Sequence, residues 1–150
     1  MSELRKILDE LEQKPEVRPQ GHMFGTVTID GQVSQFTADH VYAHEQLDTL
    51  RFFGRQTDAN DPEAFSVLLV QLQPRTITSG TYKVGGPHVV DISYWDTKTG
   101  VVLITDQGEV ALNRSNTLER LFGVIDIQGS INGELALIRA QYDIRGWHVK

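Results

Sequence analysis

Hydrophobic and polar positions recur with two different periods along this chain, and the change falls near residue 20. Between Ser2 and Gln13, Leu4, Ile7, Leu8 and Leu11 stand at i, i+3, i+4 and i+7, one apolar stripe of a 3.6-residue period. Ser2 is a capping residue, Glu3 suits the positive end of a helix and Lys14 the negative end. Pro15 and Pro19 then stop it. The spacing predicts a helix over 1–14, a proline-containing linker over 15–21 and one β domain over 22–150. So short a helix is marginal alone in water, so its stripe needs a surface to bury against. That surface is this domain's own sheet in one reading, and a partner or second copy in the other. The polar face carries Asp9, Glu10 and Glu12 rather than Lys or Arg, which argues against a helix lying on a membrane.

Past the prolines the period shortens to two. Turn signals every ~8–12 residues divide short apolar runs, the pattern of an all-β sandwich or barrel. Predicted strands are 22–29, 32–37, 47–55, 64–72, 81–84, 88–95, 101–105, 109–113, 121–131 and 134–144. Asp30-Gly31 and Asn132-Gly133 sit between strand runs and tolerate the positive φ of two-residue hairpins. If Ile131 faces Glu134, then Ile127 faces Ile138, Ile125 faces Ala140 and Gly129 faces Ala136 on one face. Asp126 then meets Arg139 on the other. A one-residue slip would bring Asp126 against an apolar side chain. Val67-Leu68-Leu69-Val70, extended by Phe65 and Leu72, is apolar on both faces, so it reads as a central strand with something over its outer side. The leader helix is available as that cover.

Composition supports the same class. The chain has 150 residues, which fits one domain able to build its own core. It holds 14 Val, 10 Ile and 12 Thr against 7 Ala, and of the β-branched set only Ile7 and Val17 precede residue 20. The expected fold is an antiparallel β-sandwich or flattened barrel of about eight to ten strands with one N-terminal amphipathic helix packed on it. Net charge is −6, which disfavours nucleic acid and anionic membrane as partners. There is no cysteine, so disulfide scaffolds, thiol nucleophiles and Cys-ligated metals are excluded. The charged N-terminus lacks the apolar core of a signal peptide, and no run approaches the ~20 apolar residues of a membrane span. A soluble, cytoplasmic protein is expected, with signal-independent release left open.

Catalytic motifs are absent from the sequence. His40 and His44 share one face beside Asp39, Glu45 and Asp48, and imidazole with carboxylate suits zinc. Val41 occupies the position where a zincin needs Glu, so that protease motif fails. A metal-dependent enzyme at this pair stays a minor alternative to a solvated polar loop. Gly129-Ser130-Ile131-Asn132-Gly133 has the wrong spacing for a nucleophile elbow. The glycine-rich stretch from Ser79 to His88 lacks the Gly-Lys-Ser/Thr of a phosphate loop. No cofactor is expected.

Two aromatic features suggest binding. Tyr94, Trp95 and Asp96 end a strand, and an exposed Trp beside Asp and Thr suits a sugar ring; alternation places Trp95 on the more polar, exposed side. Of Phe52 and Phe53, one ring points in and the other out, toward an interface or beneath the helix. Trp147 anchors the tail.

Gly25 to Gly31, Gly80-Thr81-Tyr82-Lys83-Val84, Gly123-Val124-Ile125-Asp126-Ile127-Gln128-Gly129 and Gly133-Glu134-Leu135 resemble pieces of small uncharacterised bacterial β-sandwich domains. The resemblance covers the β body and implies a sandwich; it implies no activity. The functional expectation is a non-catalytic binding or assembly module. It would engage a protein partner or itself, as a homo-oligomer, through the helix and the sheet surface. A carbohydrate-binding sandwich and a barrel for a small apolar ligand are the alternatives.

Overall fold

The computed structural model describes residues 20–147. The predicted helix over 1–14, with its stripe of Leu4, Ile7, Leu8 and Leu11, lies outside these residues. So do most of the linker and residues 148–150. The described chain is all-β: eleven strands and, among the described residues, no helix. In chain order they are β1 (Gln20–Ile29), β2 (Gln32–Thr37), β3 (His40–Gln46), β4 (Thr49–Thr57), β5 (Phe65–Leu72), β6 (Gly80–Lys83), β7 (Val89–Asp96), β8 (Val101–Val102), β9 (Ile104–Ser115), β10 (Arg120–Ile131) and β11 (Glu134–Arg145). They build two antiparallel sheets packed face to face. One has the order β2-β1-β11-β10-β9-β6, the other β3-β4-β5-β7-β8.

Local chemistry sets the hairpins. Asn132 and Gly133 take φ of 52° and 82°, and Asp30 and Gly31 take 49° and 78°. Positive φ at both central positions matches the turn twist to the strand twist. The β10–β11 register follows the expectation: Ile127 opposes Ile138, Ile125 opposes Ala140 and Asp126 opposes Arg139. The row of Ile125, Ile127, Ile138 and Ala140 is buried against the second sheet.

The core between the sheets is filled by inward residues of both. Phe52 meets Tyr142 at 4.7 Å between ring centroids, and Phe36 meets Tyr94 edge-on at 6.2 Å. Trp147 is fully buried there, which fixes the end of the described chain. β5 is the middle strand of its sheet, as its two-sided apolar run requires.

Two sequence expectations need correction. The segment around His40 and His44 is the edge strand β3 rather than a polar loop. Trp95 is buried at 8% exposure rather than displayed to solvent.

Candidate functional site

The least ordinary surface of the molecule is the outer face of the five-stranded sheet. Side chains alternate across a strand, so cross-strand pairing writes this face as rows. One row runs His40, Arg55, Val67, Trp95; the next runs Tyr42, Phe53, Leu69, Ser93; the third runs His44, Arg51, Gln71, Asp91. The middle of this grid is apolar. Tyr42 stacks on Phe53 at 5.9 Å with 9° between ring planes. With Val67, Leu69 and Trp95 they form a second apolar cluster, separate from the inter-sheet core, and Phe65 packs at its margin.

Members of this cluster are only 0–8% exposed, yet among the described residues every one comes from the same sheet. Residues on a single face shield one another sideways, not from above. Phe53 at 2% and Val67 at 0% exposure therefore mark a face that is covered. Trp95 Nε1 is buried there without a hydrogen-bond partner among the described residues.

The rim is polar and cationic. His40, His44, Arg51 and Arg55 are half-buried around the apolar centre. His44 Nε2 lies 3.0 Å from Gln46 Oε1, which also accepts from Arg51 Nη1 at 2.7 Å. Burial pushes the Arg55 guanidinium below its ordinary value. An apolar centre inside a polar rim has the build of a contact surface.

Sequence reasoning placed several of these residues correctly by side but not by setting. Phe52 points into the core and Phe53 outward into the cluster. Tyr94 and Trp95 separate onto opposite faces, so they form no single platform with Asp96. His40 and His44 do share the outer face, but four residues of strand hold them about 13 Å apart, with Tyr42 between them. Among the described residues no group of three metal-ligating side chains comes together.

Tyr94 and Asp96 instead line a cleft of about 310 Å³ at one open end of the sandwich. There the inward positions turn polar: Gln56 pairs with Ser66, and Ser66 with Asp96, one row beyond Tyr94. Ser34 and Gln35 face them from β2, and Asp58 and Lys98 form an ion pair of 2.9 Å at the lip. Burial raises the Tyr94 hydroxyl above its usual pKa, and the Asp96 carboxylate adds to this. The row needs three strands in register, so no local motif announces it.

Among the described residues no helix is long and apolar enough to cross a membrane. Compared with protein-family models, curated proteins and solved structures, the chain matches none.

Proposed function

We propose that this chain is a non-catalytic binding module. It engages a protein partner or a second copy of itself through an amphipathic N-terminal helix and the outer face of the five-stranded sheet. One observation carries the reading: Tyr42, Phe53, Val67, Leu69 and Trp95 form a covered apolar cluster on the outside of a sandwich whose core is complete without them. A sandwich needs no second core for stability, and an apolar centre inside a polar rim has the anatomy of an interface. The cysteine-free composition fits work in a reducing cytoplasm.

The test uses the full chain carrying Leu4→Ser and Leu8→Ser, which weakens the helix stripe and leaves every strand intact. A synthetic peptide of residues 1–19 is titrated against it while Trp95 fluorescence and solution mass are followed. Saturable micromolar binding, or a concentration-dependent rise in mass, is the expected result. A variant that ignores the peptide and stays monomeric at every concentration overturns the reading.

A second reading rests on the cleft. Gln56, Ser66, Asp96 and the Tyr94 hydroxyl offer mixed donors and acceptors in a space close to the ~300 Å³ lower end of small-ligand sites. That chemistry suits a sugar ring. A glycan panel decides it: binding lost in Asp96→Ala and kept in Trp95→Ala supports the cleft, and absence of any wild-type binding removes it.

A further inference from the structure

We infer that the free edge of β2 and the cleft beside it form a peptide-binding site. An extended segment of another protein adds there as one more strand of the six-stranded sheet and seats a Lys or Arg side chain among the cleft carboxylates. The site lies apart from the outer face of the five-stranded sheet and takes a ligand other than a sugar, so the inference goes beyond both readings above.

The edge comes first. β2 ends its sheet and, among the described residues, pairs with β1 alone. Its residues from Gln32 to Gln35 are exposed, Val33 at 63%. Asp30-Gly31 is a two-residue turn, which makes Ile29 and Gln32 a hydrogen-bonded pair. Such pairs alternate along the ladder, so Val33, Gln35 and Thr37 direct N–H and C=O away from β1. An edge of this kind is normally blunted by charge, proline, a bulge or shortness. β2 holds no charged residue and no proline, and its register with β1 runs without a shift from Gln32 to Thr37. The opposite edge of the sheet, β6, is only four residues long and ends on Lys83. One edge is protected and the other is open.

The cleft lies where an added strand runs. β2 crosses the other sheet over the row Gly54, Leu68, Tyr94. Phe36 meets Tyr94 edge-on, and a Cβ on Gly54 would lie 3.0 Å from the Ala38 Cβ, just past the end of β2. The next row outward is Gln56, Ser66, Asp96. The cleft over that row is lined by Ser34 and Gln35 of β2 and by no residue of β1, so it opens on the side of β2 that faces away from β1. A strand laid beside β2 therefore runs along the row. The row is two strand spacings long, about 10 Å, and alternate side chains of an added strand stand ~7 Å apart, so two of them face it. Backbone pairing to β2 then supplies affinity, and the cleft supplies selectivity.

Charge selects the side chain. Asp96 belongs to the row, and Asp58 and Lys98 pair at its lip at 2.9 Å. The Lys98 ammonium is held above its ordinary pKa by Asp58 first, with the carboxylates of Asp61 and Asp96 adding to it. Three carboxylates thus act on one ammonium, and a second cation is favoured there. The rings of Phe65 and Tyr94 offer apolar surface to the stem of a long basic side chain. The net charge of −6 draws basic segments toward the chain. A second copy paired through its own β2 brings no cation to the cleft, so the occupant is a basic segment of a different protein.

The test uses the full chain and short capped peptide pools of Val, Thr and Ser with the central residue set to Arg, Lys or Glu. Fluorescence anisotropy follows binding. Micromolar binding of the Arg and Lys pools, about tenfold or more tighter than the Glu pool and weakened by salt, is expected. N-methylation of the Arg pool at alternate positions removes the N–H groups that strand pairing needs and is expected to abolish binding. Asp96→Asn keeps an acceptor for the Lys98 amide and is expected to shrink the preference for Arg over Glu several-fold. Absence of binding by every pool, equal binding of the Arg and Glu pools, full binding after N-methylation, or a preference that Asp96→Asn leaves unchanged would each overturn the inference. Sedimentation of the chain alone covers the remaining occupant: a dimer that Val33→Lys dissolves assigns the edge to a second copy and overturns it, and a monomer supports it. If the Arg pool binds while the 1–19 peptide does not, this site stands and the outer-face reading falls. If the 1–19 peptide binds and every pool is ignored, the reverse holds.

Discussion

Asp143 shows how much one carboxylate can depend on its neighbours. Arg120 donates to it through Nε at 3.1 Å and Nη2 at 2.9 Å, and Arg145 through Nη2 at 3.1 Å. The Arg120 hydrogen bonds, aided by Arg145, hold its pKa well below the ordinary carboxylate range. A folded-state pKa below the unfolded one stabilises the fold above the unfolded value of ~3.9, and that contribution disappears as pH falls through the folded value. Asp143→Asn is therefore expected to lower the urea midpoint at neutral pH, with the gap to wild type narrowing steadily as pH falls below the ordinary carboxylate range. A gap independent of pH would show that the charge is not its source. Single residues also mark a limit of sequence reading. Alternation put Trp95 on the correct side of its strand, but a period of two says nothing about what lies above that side.

Elements were legible where turn chemistry and alternation agreed. The β10–β11 hairpin was readable to the residue because Asn132-Gly133 fixes the turn and Ile125, Ile127 and Ile138 fix the face. Gly133→Val, at a φ of 82°, is expected to cost about 1–2 kcal/mol. Ile127→Ala removes a core side chain at 1% exposure and is expected to cost about 2–5 kcal/mol. Both are measured by equilibrium unfolding, and near-neutral values for both would contradict the register. β3 was not legible. Val41, Tyr42 and Ala43 are all buried, so its centre shows no alternation. The polar residues at its ends imitate a loop. The Gln56–Ser66–Asp96 row was hidden for another reason, since its members are distant in sequence and meet only through two strand pairings.

At the scale of the molecule, Arg114 ties the layers together. From β9 it reaches the Glu45 carboxylate of β3 in the other sheet at 3.0 Å, with both side chains 4% exposed. It also donates to the Arg75 and Ile77 carbonyls and to Asn116 Oδ1, and its guanidinium lies 5.2 Å from the Trp147 ring centroid. Removing one member of a buried pair leaves the other's charge less compensated, so Arg114→Met is expected to cost up to about 3–5 kcal/mol, with part recovered in Arg114→Met/Glu45→Met. Full additivity in that double-mutant cycle would deny the coupling. A last consequence follows from β1 lying between β2 and β11, with Gln20 opposite Arg145. During synthesis β1 emerges well before β11 and keeps one hydrogen-bonding edge bare until that partner strand arrives. Pairing across so long a stretch of chain is slow and leaves sticky intermediates. The nascent polypeptide thus exposes the free edge of β1 to wrong partners for as long as β11 is missing.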